Sequence, residues 1–566
     1  MRNKCSVFLS MANILFFSSA FSMLFAYLIP INSIMVSFNA VLWVSFYNDY
    51  IAFASLLLFM GGLLCTKNTL YITPVSCFLL IVSSIPLFQW IFGIVFFSGD
   101  ALMAFSYVAG AALAVFCATN SAFLGGRQQV LTLFSIGFVV LGLLSFYMTL
   151  YQFLRLDYAE GLIYGSSAGV RVMGNLRQSN NFSSLLIMCF LCSGYLYERK
   201  LYSRKIWLLL SCCMVSAIVL VQSRTAVLFL VLLILFFCFF CKKIRFRMTV
   251  LDLFTIVFLY VLWEMFFGFL EGALFPQGAV NSLKDVYMFA DNARMLIWRE
   301  ALTAIINGPF WGYGWGQVAV AQVLVDSDLS RVVHFRQSHN LFLDLMLWNG
   351  PFLGACLIFS ILFFGWRCLC RCRSVEDWIL LAIVGAVFTH AMLEYPLHYA
   401  YFLIPIAFLV GLAENCTKKT FGVVAIHPLC ISVVTLGSAL LLTMVFNEYG
   451  IIERKTQSVR TDFRTYELRI DKGKTLDDLV LLTQLRELLK LAKKEKKSRI
   501  RKSDLMWLKQ VSHRYPTPYT LGLYAKACLL NGHHEEVDRI LALVRRIFDE
   551  RYISITQSIV YGRSMK

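Results

Sequence analysis

The sequence predicts an all-α protein that crosses a membrane about 13 times and carries a large outer loop and a soluble helical tail. Three observations carry that reading. The chain is 59% hydrophobic and only 15% charged, with a mean hydropathy of +0.70, whereas a soluble domain is about a quarter charged. Apolar runs long enough to cross a bilayer recur along its 566 residues. The net charge of +18 is uneven, because residues 451–566 hold 25 Lys+Arg against 14 Asp+Glu in a stretch unlike a membrane span. Disordered, single-anchor and soluble-enzyme classes are thereby excluded.

The predicted spans lie near residues 12–31, 49–65, 70–89, 101–120, 129–150, 182–197, 206–221, 226–241, 249–268, 351–366, 377–394, 399–413 and 421–446. The first is followed closely by a second and shows no small-residue cleavage site, so it reads as a span and not as a signal peptide. With Arg2 and Lys4 on the inner side, 17 basic residues fall in short inner segments, as the positive-inside bias requires. The odd number of spans puts loop 269–350 and the tail outside. The predicted units are the spans of 1–268, the loop 269–350, the spans of 351–446 and the tail 447–566.

In the tail, TLDDLVLLTQLRELLKLAKK (475–494) has helical periodicity, with Thr475 as its candidate N-cap. Thr517 with Pro518 opens another helix, Asn531-Gly532 makes a turn, and a further helix starts near His534. This pairing resembles a tetratricopeptide unit, which cannot bury its own face alone. The basic run Lys493–Lys502 suits either a solvated helix face or anionic lipid headgroups. Cys368, Cys370 and Cys372 are too closely spaced for a zinc site and read as free thiols.

Chemistry is expected on the outer face, where four stretches gather polar groups. GNLRQSNNFSSLL (174–186) sets Arg177, Gln178, Asn180 and Asn181 before a span. Helix capping by Ser179 or Asn181 explains one of them; the set suits sugar hydroxyls or phosphate oxygens. QSRTA (222–226) puts Arg224 in a short turn with little to pair with, a candidate phosphate ligand. In the long loop, Arg294 and Trp298 share a helix face, and the Gly/Trp-rich segment 308–317 can pack under a sugar. His339 then precedes an apolar helical run, and histidine is the natural general base near neutral pH. EYPLHYAYF (394–402) breaks a helix at Pro396 and lines the break with Glu394, Tyr395, His398 and Tyr399. A glutamate there needs a partner. Within the spans, Asp252, Glu264 and His390 look isolated, which argues against a transporter of lipid-linked sugars.

These stretches, in this order, resemble the O-antigen ligase/polymerase superfamily of bacterial membrane glycosyltransferases. IPLFQWIFGIVFFSGDALMAFSY (85–107), the RQSN element and EYPLHYAYFLIP resemble more narrowly its protein O-oligosaccharyltransferases of the PglL/PilO type. The resemblance covers most of 40–450 and extends to the tail. It implies en bloc transfer of a glycan from undecaprenyl pyrophosphate to a Ser or Thr of an exported, pilin-like protein, at the periplasmic face of a Gram-negative inner membrane. Besides donor and acceptor, the partners it implies are membrane lipids, not nucleic acid, and it implies no nucleotide, metal or other cofactor. His339 matches the family's essential histidine. Arg224 and Arg294 are assigned to the pyrophosphate, and Gln178, Tyr395, Arg177, Asn181 and His398 to substrate positioning. An O-antigen ligase, or a polymerase joining repeat units, stays open as the alternative.

Overall fold

The computed structural model describes residues 2–31, 43–156, 161–165, 171–274, 280–327, 332–415, 420, 422–457, 460–462, 467–469, 476, 478–493, 502–548 and 550–561. These are overwhelmingly helical. The first nine helices are α1 (Arg2–Leu28), α2 (Phe46–Cys65), α3 (Pro74–Ile91), α4 (Ser98–Gly125), α5 (Arg127–Phe153), α6 (Ser179–Glu198), α7 (Arg204–Val221), α8 (Arg224–Phe240) and α9 (Val250–Leu274). The segment that follows adds α10 (Val280–Asn307) and α11 (Val318–Leu324). Then come α12 (Leu341–Arg371), kinked at Gly350, α13 (Val375–Ala391), α14 (Ala400–Glu414) and α15 (Pro428–Gln457). The tail holds α16 (Thr483–Lys493), α17 (Lys502–Arg514), α18 (Pro518–Leu530), α19 (His534–Ile547) and α20 (Glu550–Tyr561).

Nine helices among the described residues are long and apolar enough to cross a membrane, and α8 and α14 are shorter apolar ones. Their exteriors remain apolar: Phe254, Phe258 and Met265 on α9 are each more than 60% exposed. That pattern suits lipid, which satisfies no backbone polar group and so demands helices that close their own hydrogen bonds. Helix α6 is covered on nearly every side from Asn181 to Tyr197. Two short strands, β1 (Leu70–Ile72) and β2 (Val424–Ile426), pair antiparallel and join the α2–α3 and α14–α15 connections.

Several sequence expectations are revised. Asp252 is not isolated: Arg204 lies 2.6 Å from its Oδ1. His390 shares a 2.9 Å hydrogen bond with Ser184. Helix α13 ends at Ala391, before the expected 394, so Glu394 lies in the break. Thr475 lies outside the described residues, as does most of the Lys493–Lys502 run. The helix expected from it starts only at Thr483, because the N–H groups of Val480, Leu481 and Leu482 are taken by the Glu448 carboxylate at 2.8–3.0 Å. In α18, Thr517 accepts from Thr520 N at 3.1 Å, with Pro518 in the first turn.

The tail is docked on one end of the helix bundle, against α2, α4, α10, α11 and α15. Leu479, Leu482, Leu485 and Leu489 pack with Phe46 of α2 and with Tyr449 and Ile452 of α15. Phe97, before α4, and Val323 of α11 join the core of the tail helices. Arg514 forms a two-pronged pair with Asp100, 2.8 Å at each prong. Arg546 lies 3.4 Å from the wholly buried Glu300 of α10. Thus the tail's apolar faces find the partner that one helix pair lacks.

Candidate active site

Glu394 is the centre on which the polar stretches singled out in the sequence converge. It is only 6% exposed. Its Oε1 accepts from Arg294 Nη2 of α10 and from Asn180 Nδ2 of α6, the latter at 3.3 Å. Its Oε2 meets His339 Nδ1 at 2.8 Å and Gln178 Nε2 at 3.5 Å. Burial by itself pushes the Glu394 pKa up, but the His339 hydrogen bond and the Arg294 charge outweigh it and hold the carboxyl below its ordinary value of 4.5. Glu394 is therefore ionised at neutral pH.

His339 is held from both sides. It adopts a left-handed conformation at φ 58°, which costs a non-glycine residue about 1–2 kcal/mol. Its neighbours offset that cost. Ser338 N donates to Asp344 Oδ1 at 2.9 Å, and Ser338 O accepts from Trp298 Nε1 at 2.9 Å. Asn340 caps α12, accepting from Phe342 N and Leu343 N, and its Nδ2 donates to Met392 O at 3.1 Å. The Arg294–Trp298 face therefore grips this segment from one side, and the 392–399 break from the other. Tyr395 stands edge-on to the His339 ring, centroids 5.2 Å apart. Since the carboxylate can only accept, Nδ1 of a neutral His339 carries the proton, and Nε2 is left as the acceptor.

The break is pinned from below. Asp49 of α2, wholly buried, accepts from Ala400 N at 2.6 Å at the start of α14. His398 lies 3.6 Å from Asp344, and its ring lies tilted against those of Trp348 and Tyr395, centroids 5.4 and 5.7 Å apart. Glycines set the adjoining 308–317 loop: Gly350 (φ 76°) has no room for a side chain, because a Cβ there would lie 1.8 Å from Phe310 O.

Of the sequence-predicted residues, His339, Arg294, Gln178, Tyr395 and His398 are brought together. Arg224 connects less directly. It opens α8 on an exposed side, and Ser223 beside it donates to Asn180 Oδ1 at 2.8 Å. Contrary to the sequence expectation, Arg224 is engaged by other groups. Arg177 stacks over Tyr164 at 4.7 Å and does not join the hydrogen bonds to Glu394. Asn181 is buried in α6 and does not join them either. Neither Ser179 nor Asn181 caps α6: its N-cap is Gln178, without a side-chain cap bond, which leaves the Gln178 amide for the site. The Gln178 Oε1 is buried with no hydrogen-bond partner among the described residues. Glu394 has no role in the sequence reading, although a carboxylate beside a helix break is the signal for it.

Tyr395 and His398, beside this cluster, line a cavity of about 1840 Å³. Its walls are apolar side chains of α3, α4, α8, α12, α13 and α14, such as Leu79, Val108, Phe229, Phe363 and Leu403. Tyr395, His398, Gln337, Trp315, Arg336 and Arg514 line its outer end.

Comparison with known proteins gives the family. Residues 206–358 match the O-antigen ligase family, and 378–558 match the C-terminal part of the virulence factor membrane-bound polymerases. The chain is 29% identical over 538 residues to the general O-oligosaccharyltransferase of Acinetobacter baylyi, covering 90% of this chain and 89% of the relative. It is 31% identical over 411 residues to the ComP-specific O-oligosaccharyltransferase of the same species, covering 72% of each. With that identity sustained over most of both chains, and with the bundle of apolar helices above, the chain belongs to the O-oligosaccharyltransferase family.

Proposed function

We propose that this glycosyltransferase moves a preassembled oligosaccharide en bloc from undecaprenyl pyrophosphate to a Ser or Thr hydroxyl of an exported protein such as a pilin. It acts at the periplasmic face of a Gram-negative inner membrane. Thirteen helices (α1–α9 and α12–α15) cross the membrane in this reading, loop 269–350 is the catalytic loop, and the tail is a periplasmic, tetratricopeptide-like unit. The observation that carries the proposal is the hydrogen-bonded His339–Glu394 pair next to Tyr395 and His398, which line a large, mostly apolar cavity.

The chemistry is a single displacement. The acceptor hydroxyl oxygen attacks the anomeric carbon as its proton passes to His339 Nε2, and the carbon–oxygen bond to pyrophosphate breaks with its electron pair on the leaving group. Glu394 orients the imidazole and stabilises its protonated form. Arg224 and Arg294 stabilise the departing pyrophosphate. Gln178 and Tyr395 position glycan or acceptor, with Arg177, Asn181 and His398 in supporting roles. The proposed step requires no metal, nucleotide or other cofactor.

The test is reconstitution in a ligase-deficient bacterial host with a lipid-linked glycan and a pilin-like acceptor, read by intact mass. A glycan-sized increment with wild type and none with His339→Ala is expected. Modified lipopolysaccharide without modified protein would assign the chain to glycan transfer onto the lipid A core instead. A single displacement inverts the anomeric carbon, so an α-linked product from an α-linked donor would refute the mechanism.

A further inference from the structure

One cation at the outer end of the cavity has no role in the cluster around Glu394. Arg336, three residues before His339, lines the cavity, as does Arg514 from the last turn of α17 in the tail. The Arg514 charge is answered, since its Nε and Nη2 both donate to Asp100. Arg336 has no carboxylate within ion-pair distance among the described residues. Burial and the nearby Arg514 charge lower its pKa to about 10, which still leaves it cationic at neutral pH. The mouth therefore holds a neutral Asp100–Arg514 pair and one uncompensated guanidinium, partly withdrawn from water. An unpaired buried charge is costly and persists where a ligand of opposite charge completes it.

We propose that Arg336, framed by the Asp100–Arg514 pair, seats an anionic oxygen group of the lipid-linked donor, and that the tail completes this donor site by neutralising Asp100. The group is a phosphoryl oxygen or a sugar carboxylate, both of which a guanidinium binds through paired N–H donors. The inference rests on the lipid-linked donor of the proposed function. It adds a binding residue outside the assigned arginines and gives the tail a charge-balancing part.

The experiment uses the full chain in detergent, with binding of geranylgeranyl pyrophosphate compared with the uncharged geranylgeraniol. Arg336→Gln should weaken pyrophosphate binding about ten- to hundredfold, as expected for a charged hydrogen bond. Alcohol binding should be unchanged, and Arg336→Lys should recover part of the loss. In transfer assays the KM for donor should rise while kcat holds. Arg514→Gln should weaken binding further by unmasking the Asp100 carboxylate, and adding Asp100→Asn should restore it. A merely structural contact would not be rescued by removing its second half. If Arg336→Gln leaves pyrophosphate binding intact but raises KM only for a donor whose glycan carries a uronic acid, the seat holds the sugar carboxylate. If neither quantity changes, the seat is refuted. If Asp100→Asn fails to rescue Arg514→Gln, the tail's charge role is refuted. Wild type that binds the pyrophosphate through Arg336 but transfers glycan to no protein would overturn the proposed function and leave the seat standing.

Discussion

Replacing Glu394 with Gln tests the centre of the site while nearly preserving its shape. The wild-type carboxylate is 6% exposed and receives donors from His339, Arg294, Asn180 and Gln178. The amide keeps one acceptor oxygen, loses the charge, and presents a donor where Arg294 or His339 now donates. The imidazole then has no fixed tautomer and no anion to stabilise its protonated form. General-base catalysis contributes about 10²–10⁴-fold, so kcat should fall at least about 10²-fold, equivalent to about 3 kcal/mol of barrier. Stability should fall less. Breaking a buried ion pair costs about 3–5 kcal/mol, but the Arg294 and His339 side chains are 27% and 26% exposed, and water answers part of their charge. A loss of about 1–2 kcal/mol is expected after that screening. The native Glu394 pKa is depressed below 4.5. Its stabilisation is therefore complete above that value and lost as pH falls through the native pKa. The wild-type advantage in thermal unfolding should be flat from about pH 6 to 8 and vanish only in acid below the ordinary carboxyl range. The assay is glycan transfer to purified acceptor under saturating donor, with Tm followed in parallel. Activity within about threefold of wild type would refute the orienting role. So would full additivity of Glu394→Gln with His339→Ala, because groups acting as one unit do not add.

Two further expectations concern how the loop and tail hold the site. Glu300, wholly buried and 3.4 Å from Arg546, has its pKa raised to about 7 by burial, which the Arg546 charge only partly offsets. The native state thus holds this proton more tightly than the unfolded chain, and stability falls as pH rises from the ordinary 4.5 through about 7. Glu300→Gln should remove about 1–3 kcal/mol of the drop in stability between pH 5 and 8; an unchanged pH dependence of Tm would refute it. Gly350→Ala should abolish folded, active protein, because its Cβ would meet Phe310 O at 1.8 Å, whereas Gly316→Ala, with nothing within 4 Å, should pay only the left-handed backbone cost of about 1–2 kcal/mol. Equal yields of active enzyme from the two variants would refute the close approach.

The sequence by itself determined the class of the protein and pointed to the residue types proposed for its site. Apolar runs of bilayer length leave helices as the structure that closes its own hydrogen bonds in lipid. The polar residues excluded from that medium collect in a few short stretches between the apolar runs, where their types could be read directly. Thr517, Pro518 and Gly532 likewise mark helix ends by local backbone chemistry that needs no tertiary partner. Only the tertiary structure decided which of those residues meet. Residues 178, 294, 339 and 394 are far apart in the chain, and no local periodicity records that α6, α10 and the two loops converge on one carboxylate. The start of α16 was likewise hidden, because the carboxylate that takes its preceding N–H groups, Glu448, comes from α15. Arg177 and Asn181 look as functional in sequence as Gln178, but one stacks on Tyr164 and the other is buried in a helix. Direction is a property of the packed backbone, and residue type alone does not encode it. The charge balance at the cavity mouth has the same origin, since Asp100 and Arg514 lie 414 residues apart and compensate only once the tail has docked.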